Sequence, residues 1–376
     1  MAGICWIEDL PPEIVTLIWR RLPWHTARFT FRAVCRAWRH MPTPTPLPSL
    51  CFNTNKFQSF ANGELPYRFA PADQNRTGER CYGCYDNWFL LCNWPGNAGR
   101  SPTFSLSNPL SGATIEGIPL YSDDTKGIMG FPMPKVIVCS PDLVVALLCC
   151  GSVAFYRPGA LLRSVSPSVE AGSWRRLIRD ITLYRGKVYA IDNNDNIFVH
   201  ELGGNHGNSA GAPKKPRCAA RHVVMTQPSN TSKEAKRWMR YLVVCRDNLL
   251  MVRWSVPSGN RSSSSAAKAT KGVKLRVFQA DLDMGRWLEV EDLGDHALFI
   301  GPGCSKALRL TGDDQRFQGN RVYFLGYDLL GSCRPLTYGD SPTYGFYDLT
   351  SCKITQIFLT GKWNVWPQHS MEWFFP

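Results

Sequence analysis

Two periodicities divide this chain of 376 residues. Near its start, Ile14, Leu17, Ile18 and Leu22 recur at helical spacing and form one apolar stripe. Pro11 and Pro12 suit the first turn of that helix, where backbone N–H groups have no intrahelical partner, and Pro23 ends it. A second helical stretch starts at about Thr26, whose hydroxyl can cap it. It carries Phe31, Val34, Cys35 and Trp38 at i, i+3, i+4 and i+7. Pro42, Pro44, Pro46 and Pro48 alternate along 42–49, cannot continue a helix and predict an extended spacer. Residues 1–41 therefore read as a small helical unit and 50–376 as a second, larger domain, a division that the length also favours.

Beyond the spacer the period shortens. Apolar or alternating runs recur at 87–93, 103–108, 113–120, 135–139, 143–156, 180–184, 187–191 and 197–200. They continue at 240–245, 249–254, 274–282, 287–293, 321–325, 344–349 and 353–359. Gly, Asn, Asp and Pro punctuate them, as in an all-β sandwich, barrel or propeller. A weak internal repeat favours the propeller. Gly186-Lys187-Val188-Tyr189-Ala190-Ile191 is echoed by Gly319-Asn320-Arg321-Val322-Tyr323-Phe324-Leu325 and by Asp247-Asn248-Leu249-Leu250-Met251-Val252. The spacing is that of a kelch-like blade, ~40–50 residues. About six blades fit residues 50–376, and seven are compatible with them. Trp363, Trp366, Trp373, Phe374 and Phe375 suit the closure of such a ring, in which the first and last segments complete one blade.

Composition supports a globular chain: 44% of residues are hydrophobic, and 13 Trp with 19 Phe suit a β-rich core. The formal charge of +13 is concentrated, since residues 201–276 hold 15 Lys and Arg against 3 Asp and Glu. Solvated basic loops are the preferred account of this stretch, with nucleic-acid binding as the alternative. Two insertions, 203–221 and 257–272, read as mobile loops; the second contains the flexible tract Ser262 to Ser265. The 14 cysteines read as reduced, buried small hydrophobes, because Glu8 and Asp9 stand where a secretory signal would be apolar. The glycosylation triplets at Asn75, Asn230 and Asn260 would then stay unused. Leu143 to Tyr156 is too short to cross a membrane and reads as buried sheet. A nuclear or cytoplasmic protein is expected.

Catalytic and metal motifs do not hold up. Gly207-Asn208-Ser209-Ala210-Gly211 matches a nucleophile elbow but lies in a loop, without the strand and helix that the elbow needs. Cys81-Tyr82-Gly83-Cys84 lacks a second ligand pair, so no metal is expected. His296 reads as a structural histidine at a strand start. The glycine-rich run from Gly301 to Lys306 lacks phosphate-loop spacing and reads as a β-turn. Asp123-Asp124 and Asp313-Asp314 read as exposed turns. No catalytic residue and no cofactor are expected.

Trp6-Ile7-Glu8-Asp9-Leu10-Pro11-Pro12-Glu13-Ile14 and Arg32-Ala33-Val34-Cys35-Arg36-Ala37-Trp38-Arg39 resemble an F-box. Nearly the whole chain resembles plant F-box proteins, grass members above all, that carry a C-terminal β-propeller of a plant domain-of-unknown-function family. That likeness rests on Lys135 to Pro141, Tyr184 to Ala190, Val290 to Gly301, Trp366-Pro367 and Trp373 to Pro376. The most specific string is Asp292 to Gly301.

The resemblance implies a three-helix F-box followed by an all-β propeller. It further implies docking on the Skp adaptor of an SCF (Skp–cullin–F-box) ubiquitin ligase, and through it on a cullin. By position the adaptor-binding candidates are Leu10, Pro11, Ile14, Ile18, Leu22, Val34, Cys35 and Trp38. The propeller would hold a target protein whose identity the residues do not reveal. The chain would then act by proximity, as a non-catalytic subunit. Two alternatives differ in class: an enzyme using the propeller channel with a localising F-box, and a nucleic-acid binder using 201–276.

Overall fold

The structure is a computed structural model that describes residues 10–22, 31, 34, 35, 38, 48–52, 56–58, 67–68, 79–93, 103–108, 111–118, 135–147, 151, 153–157, 160–164, 178–201, 220–226, 238–255, 274–301, 303–310, 317–325, 343–358 and 371–375. The expected loops at 203–221 and 257–272 lie almost wholly outside these residues, as do Asp123-Asp124, Asp313-Asp314, the elbow-like run 207–211, Trp363 and Trp366.

Among the described residues one helix, α1 (Pro12–Arg21), is followed by strands. Proline in the first turn and Glu13 beside it suit a helix start, where donors are unpaired and negative charge is favoured. Leu22 leaves the helix with extended backbone, the conformation that a following proline imposes, and its N–H still reaches the Ile18 and Trp19 carbonyls. Of the expected second helical stretch, Phe31, Val34, Cys35 and Trp38 are described; Phe31, Val34 and Trp38 have helical backbone and Cys35 does not.

Six sheets are described. Sheet I contains Ser49–Phe52 (β1), Lys56–Gln58 (β2) and Tyr67–Arg68 (β3), so its first strand takes the last residue assigned to the spacer. Sheet II is Glu79–Tyr85 (β4), Trp88–Asn93 (β5), Thr103–Ser107 (β6) and Thr114–Ile118 (β7). Sheet III is Lys135–Ser140 (β8), Leu143–Leu147 (β9), Val153–Arg157 (β10) and Ala160–Ser164 (β11). The apolar run 143–156 thus folds back on itself as the β9–β10 pair, with Gly151 between them at φ 75°. Sheet IV is Ile178–Tyr184 (β12), Lys187–Asp192 (β13), Ile197–Glu201 (β14) and Ala220–Val223 (β15). Sheet V is Trp238–Cys245 (β16), Asn248–Ser255 (β17), Lys274–Asp281 (β18) and Arg286–Val290 (β19).

Sheet VI departs from this meander. Its strands are His296–Ile300 (β20), Lys306–Arg309 (β21), Arg321–Leu325 (β22), Thr343–Asp348 (β23) and Lys353–Phe358 (β24), in the order β21-β20-β22-β23-β24. Here β20 runs parallel to β22. Finally Met371–Phe374 (β25) returns to sheet I and pairs antiparallel with β1, Trp373 opposite Leu50. The closure expected of the terminal aromatics is therefore made by β25.

Two of the echoed segments, β13 and β17, are second strands of their sheets, whereas the third, β22, is the middle strand of five. The first two follow tight turns whose central residues both have positive φ: Arg185 and Gly186, then Arg246 and Asp247. Such turns match the right-handed twist of the flanking strands. β22 likewise follows Asn320 at φ 57°.

Between each pair of sheets lies a separate apolar core. Cys51, Cys84, Phe89 and Phe374 join I to II, and Leu90 and Leu106 meet Val136 and Val144 between II and III. Val145 and Phe155 meet Ile181 and Val188, and Tyr189 and Ile197 meet Leu242 and Met251. Val243 and Trp254 meet Leu298 and Phe324. Phe299 and Tyr323 meet Leu50 and Trp373, which returns the sequence of contacts from VI to I. The neighbours thus form a closed cycle. Along it the edge strands β25, β4, β8, β12 and β16 contact one another in turn, and β16 contacts β20 and β21, so these edges face the axis.

Candidate docking site

The N-terminal unit has its own core of Val15, Trp19 and Phe31, with Leu10, Leu22 and Trp38 packed against it. Phe31 stacks on Trp38 at 4.1 Å between ring centroids and meets Trp19 at 5.6 Å. On α1, Val15, Trp19 and Leu22 form a stripe at i, i+4 and i+7 that turns inward. Ile14, Leu17 and Ile18 form a second stripe that stays open, with exposures of 42%, 46% and 36%. Val34 adds an exposed apolar side chain at 46%.

The eight candidates therefore divide. Pro11, Ile14, Ile18 and Val34 are exposed, and Cys35 is half-buried. Leu10, Leu22 and Trp38 are half-buried against the unit's own core. The single stripe read from Ile14 to Leu22 is split, because Trp19 and Val15 offer a better-packed inward face and Leu22 joins them. Leu17 belongs to the open stripe. Trp19 was the available signal: a side chain of that size, three or four positions from other apolar residues, buries first.

Elsewhere, buried charges serve as ties between inner strands. Lys135 of β8 donates to Asp180 of β12 at 2.7 Å, and Asp180 also accepts the backbone N–H of Leu242 in β16 at 2.7 Å. Burial raises the Asp180 carboxyl above the usual carboxylate range, against the Lys135 ammonium and these donors. Asp195, in the turn before β14, is paired with Arg240 of β16 and lies 3.6 Å from Arg253 of β17. Each group is held by an opposite charge on the next sheet, the geometry of a strut.

The remaining sequence candidates take structural places. His296 starts β20, 2.6 Å from Asp295, whose carboxylate Arg246 and Arg309 also contact; these hydrogen bonds hold it well below the usual carboxylate range. Cys84 and Cys92 are buried in β4 and β5. Among the described residues no group of His, Cys, Asp and Glu could hold a metal ion, and no helix is long and apolar enough to cross a membrane.

A family model described as KIB1-4 beta-propeller matches residues 57–348, well over half of the chain. The chain belongs to the KIB1-4 β-propeller family. Its cycle of sheets is that propeller, and the expectation of an all-β propeller is met. A comparison with curated proteins finds no match. Similar solved structures include TolB from Acinetobacter baumannii, 11% identical with a TM-score of 0.37 over 89% of this chain and 69% of that one. BamB from Moraxella catarrhalis is 12% identical, with a TM-score of 0.31 over 76% and 84%. The Cps50 (Swd1) β-propeller domain from Myceliophteria thermophila is 10% identical, with a TM-score of 0.29 over 76% and 98%. Scores this low carry no argument about function.

Proposed function

We propose that this chain is the substrate-recognition subunit of an SCF-type ubiquitin ligase. Its N-terminal unit is an F-box that docks on a Skp-type adaptor, and its six sheets are the blades of a propeller that holds a target protein. The observation that carries this reading is the two-sided α1. Val15 and Trp19 turn inward, while Ile14, Leu17 and Ile18 keep an apolar stripe in solvent. An apolar helix face of this kind suits packing against partner helices. The F-box resemblance of residues 6–14 and 32–39 names the partner class.

Ubiquitin transfer would gain from effective concentration, with the target on the propeller and the conjugating enzyme on the cullin arm. No acid, base or nucleophile of this chain is needed, and no cofactor. The place of action is the nucleus or cytoplasm. Co-purification tests the reading: the full chain retains a Skp-type adaptor, and a variant with Ile14→Asp and Leu17→Asp loses it. Adaptor retained by that variant as well as by the unaltered chain would sink the proposal.

A further inference from the structure

Sheets II and VI are separated in the cycle by sheet I, yet they touch. The contact is made by the glycine-rich stretch after β20. Gly303 donates its N–H to Glu372 of β25, the axial strand of sheet I, at 3.2 Å. A Cβ on Gly303 would lie 2.8 Å from the carbonyl oxygen of Cys84 in β4, the axial strand of sheet II, and 2.9 Å from Glu372 Oε2. A Cβ on Gly301 would sit 3.2 Å from the Trp373 ring. Lys306 then reaches Asp86, just after β4, at 2.7 Å, and Asp86 also accepts the N–H of Phe375. The Ser305 hydroxyl donates back to the Gly301 carbonyl at 3.3 Å and pins the neck of the stretch.

To meet β25 and β4 together, this stretch must pass sheet I either on its axial side or across its end. Its partners favour the axial side: β25 and β4 are the edge strands that face the axis, and Cys304 also joins the core between sheets VI and I. Cys304 and Glu372 are both buried, Glu372 to 2% exposure. Burial, with the Asp86 charge, pushes the Cys304 thiol up to about 12, and the charge of Lys135, on the axial strand of sheet III, acts against that rise.

We propose that the stretch carrying Gly303, Cys304 and Ser305 is a built-in plug, seated in the axial opening of the ring. Glycine at 303 is then required by close approach to a backbone carbonyl and a buried carboxylate, not by turn geometry or phosphate binding. The plug assigns recognition to the turn faces and outer edges of the sheets. It occupies the place where a channel enzyme would need an open site. It stands independently of the ligase reading, because it concerns only the ring.

Cysteine labelling of the full native chain with N-ethylmaleimide, read residue by residue by mass spectrometry, tests the plug. Cys352 is exposed and reports free reactivity, whereas Cys245 of sheet V is buried and reports global unfolding. In the unaltered chain Cys304 reacts on the order of 100-fold more slowly than Cys352, as a buried protonated thiol must. In Gly303→Ala the plug is displaced, and Cys304 reacts within about tenfold of Cys352 while Cys245 stays protected. Asp86→Ala removes a half-exposed partner of Lys306 and raises Cys304 labelling several-fold, again with Cys245 unchanged. Rapid labelling of Cys304 in the unaltered chain would overturn the plug, as would full protection retained in both variants. If Gly303→Ala frees Cys304 and Cys245 together, Asp86→Ala decides: release of Cys304 alone supports the plug, and no release overturns it.

Discussion

Lys135 and Asp180 meet at 2.7 Å in a place where their side chains are 7% and 4% exposed. They sit on adjacent axial strands, and Asp180 passes the link on to the Leu242 N–H of a third sheet. Two charges taken out of water together are held mainly by each other, so removal of one strands the other. Lys135→Ala is expected to destabilise the propeller by roughly 3–5 kcal/mol, measured by denaturant unfolding. Replacing the pair by Met and Leu restores most of that loss. A single variant within about 0.5 kcal/mol of the unaltered chain would show that the pair is not a strut.

His200 gives the ring a pH dependence of known sign. It is buried in β14 at 5.5 Å from the Phe155 ring, and burial lowers its pKa from 6.5 to about 4. The unfolded chain binds a proton at this site near pH 6.5 that the folded chain refuses until about pH 4. Stability from His200 is therefore fully present above about pH 6.5 and is lost as pH falls towards 4. His200→Phe should flatten the fall in unfolding free energy over that window, by about 3 kcal/mol at its lower end. An unchanged pH profile would assign the window to other groups.

The ring was legible in the chain where alternation and turn chemistry agree. The run 187–191 emerges as β13 and 249–254 as β17, because paired left-handed turn residues and apolar alternation mark the same boundaries. β4 was not legible: its register shifts between Cys81 and Gly83, which breaks the period-two pattern. β25 is four residues long, and only pairing with β1 at the other end of the domain makes it a strand. The plug was visible only as glycines, because its meaning lies in the Cys84 carbonyl and Glu372, both far from it along the chain. In the N-terminal unit the apolar positions were legible, but which stripe faces inward is decided by Phe31 and Trp38, which pack against α1.

That division gives opposite expectations for neighbouring residues of α1. A ten-residue helix is marginal in water by itself and depends on what its inner face touches. Trp19 is 4% exposed and packs on Phe31, so Trp19→Ala removes the contact that holds the helix. A large-to-small change of this kind costs about 3–5 kcal/mol in a well-packed core, and less where the unit can collapse. Hydrogen exchange of the full chain should show α1 amides exchanging at least about 30-fold faster in Trp19→Ala, with sheets IV and V unchanged. Leu17→Ala, on the open stripe, should leave those amides within about twofold of the unaltered chain. If the proposed adaptor docking holds, both variants weaken adaptor retention, the first by melting α1 and the second by removing part of its open apolar face. Loss of α1 protection in Leu17→Ala, or its persistence in Trp19→Ala, would mean that the two stripes have been assigned to the wrong sides.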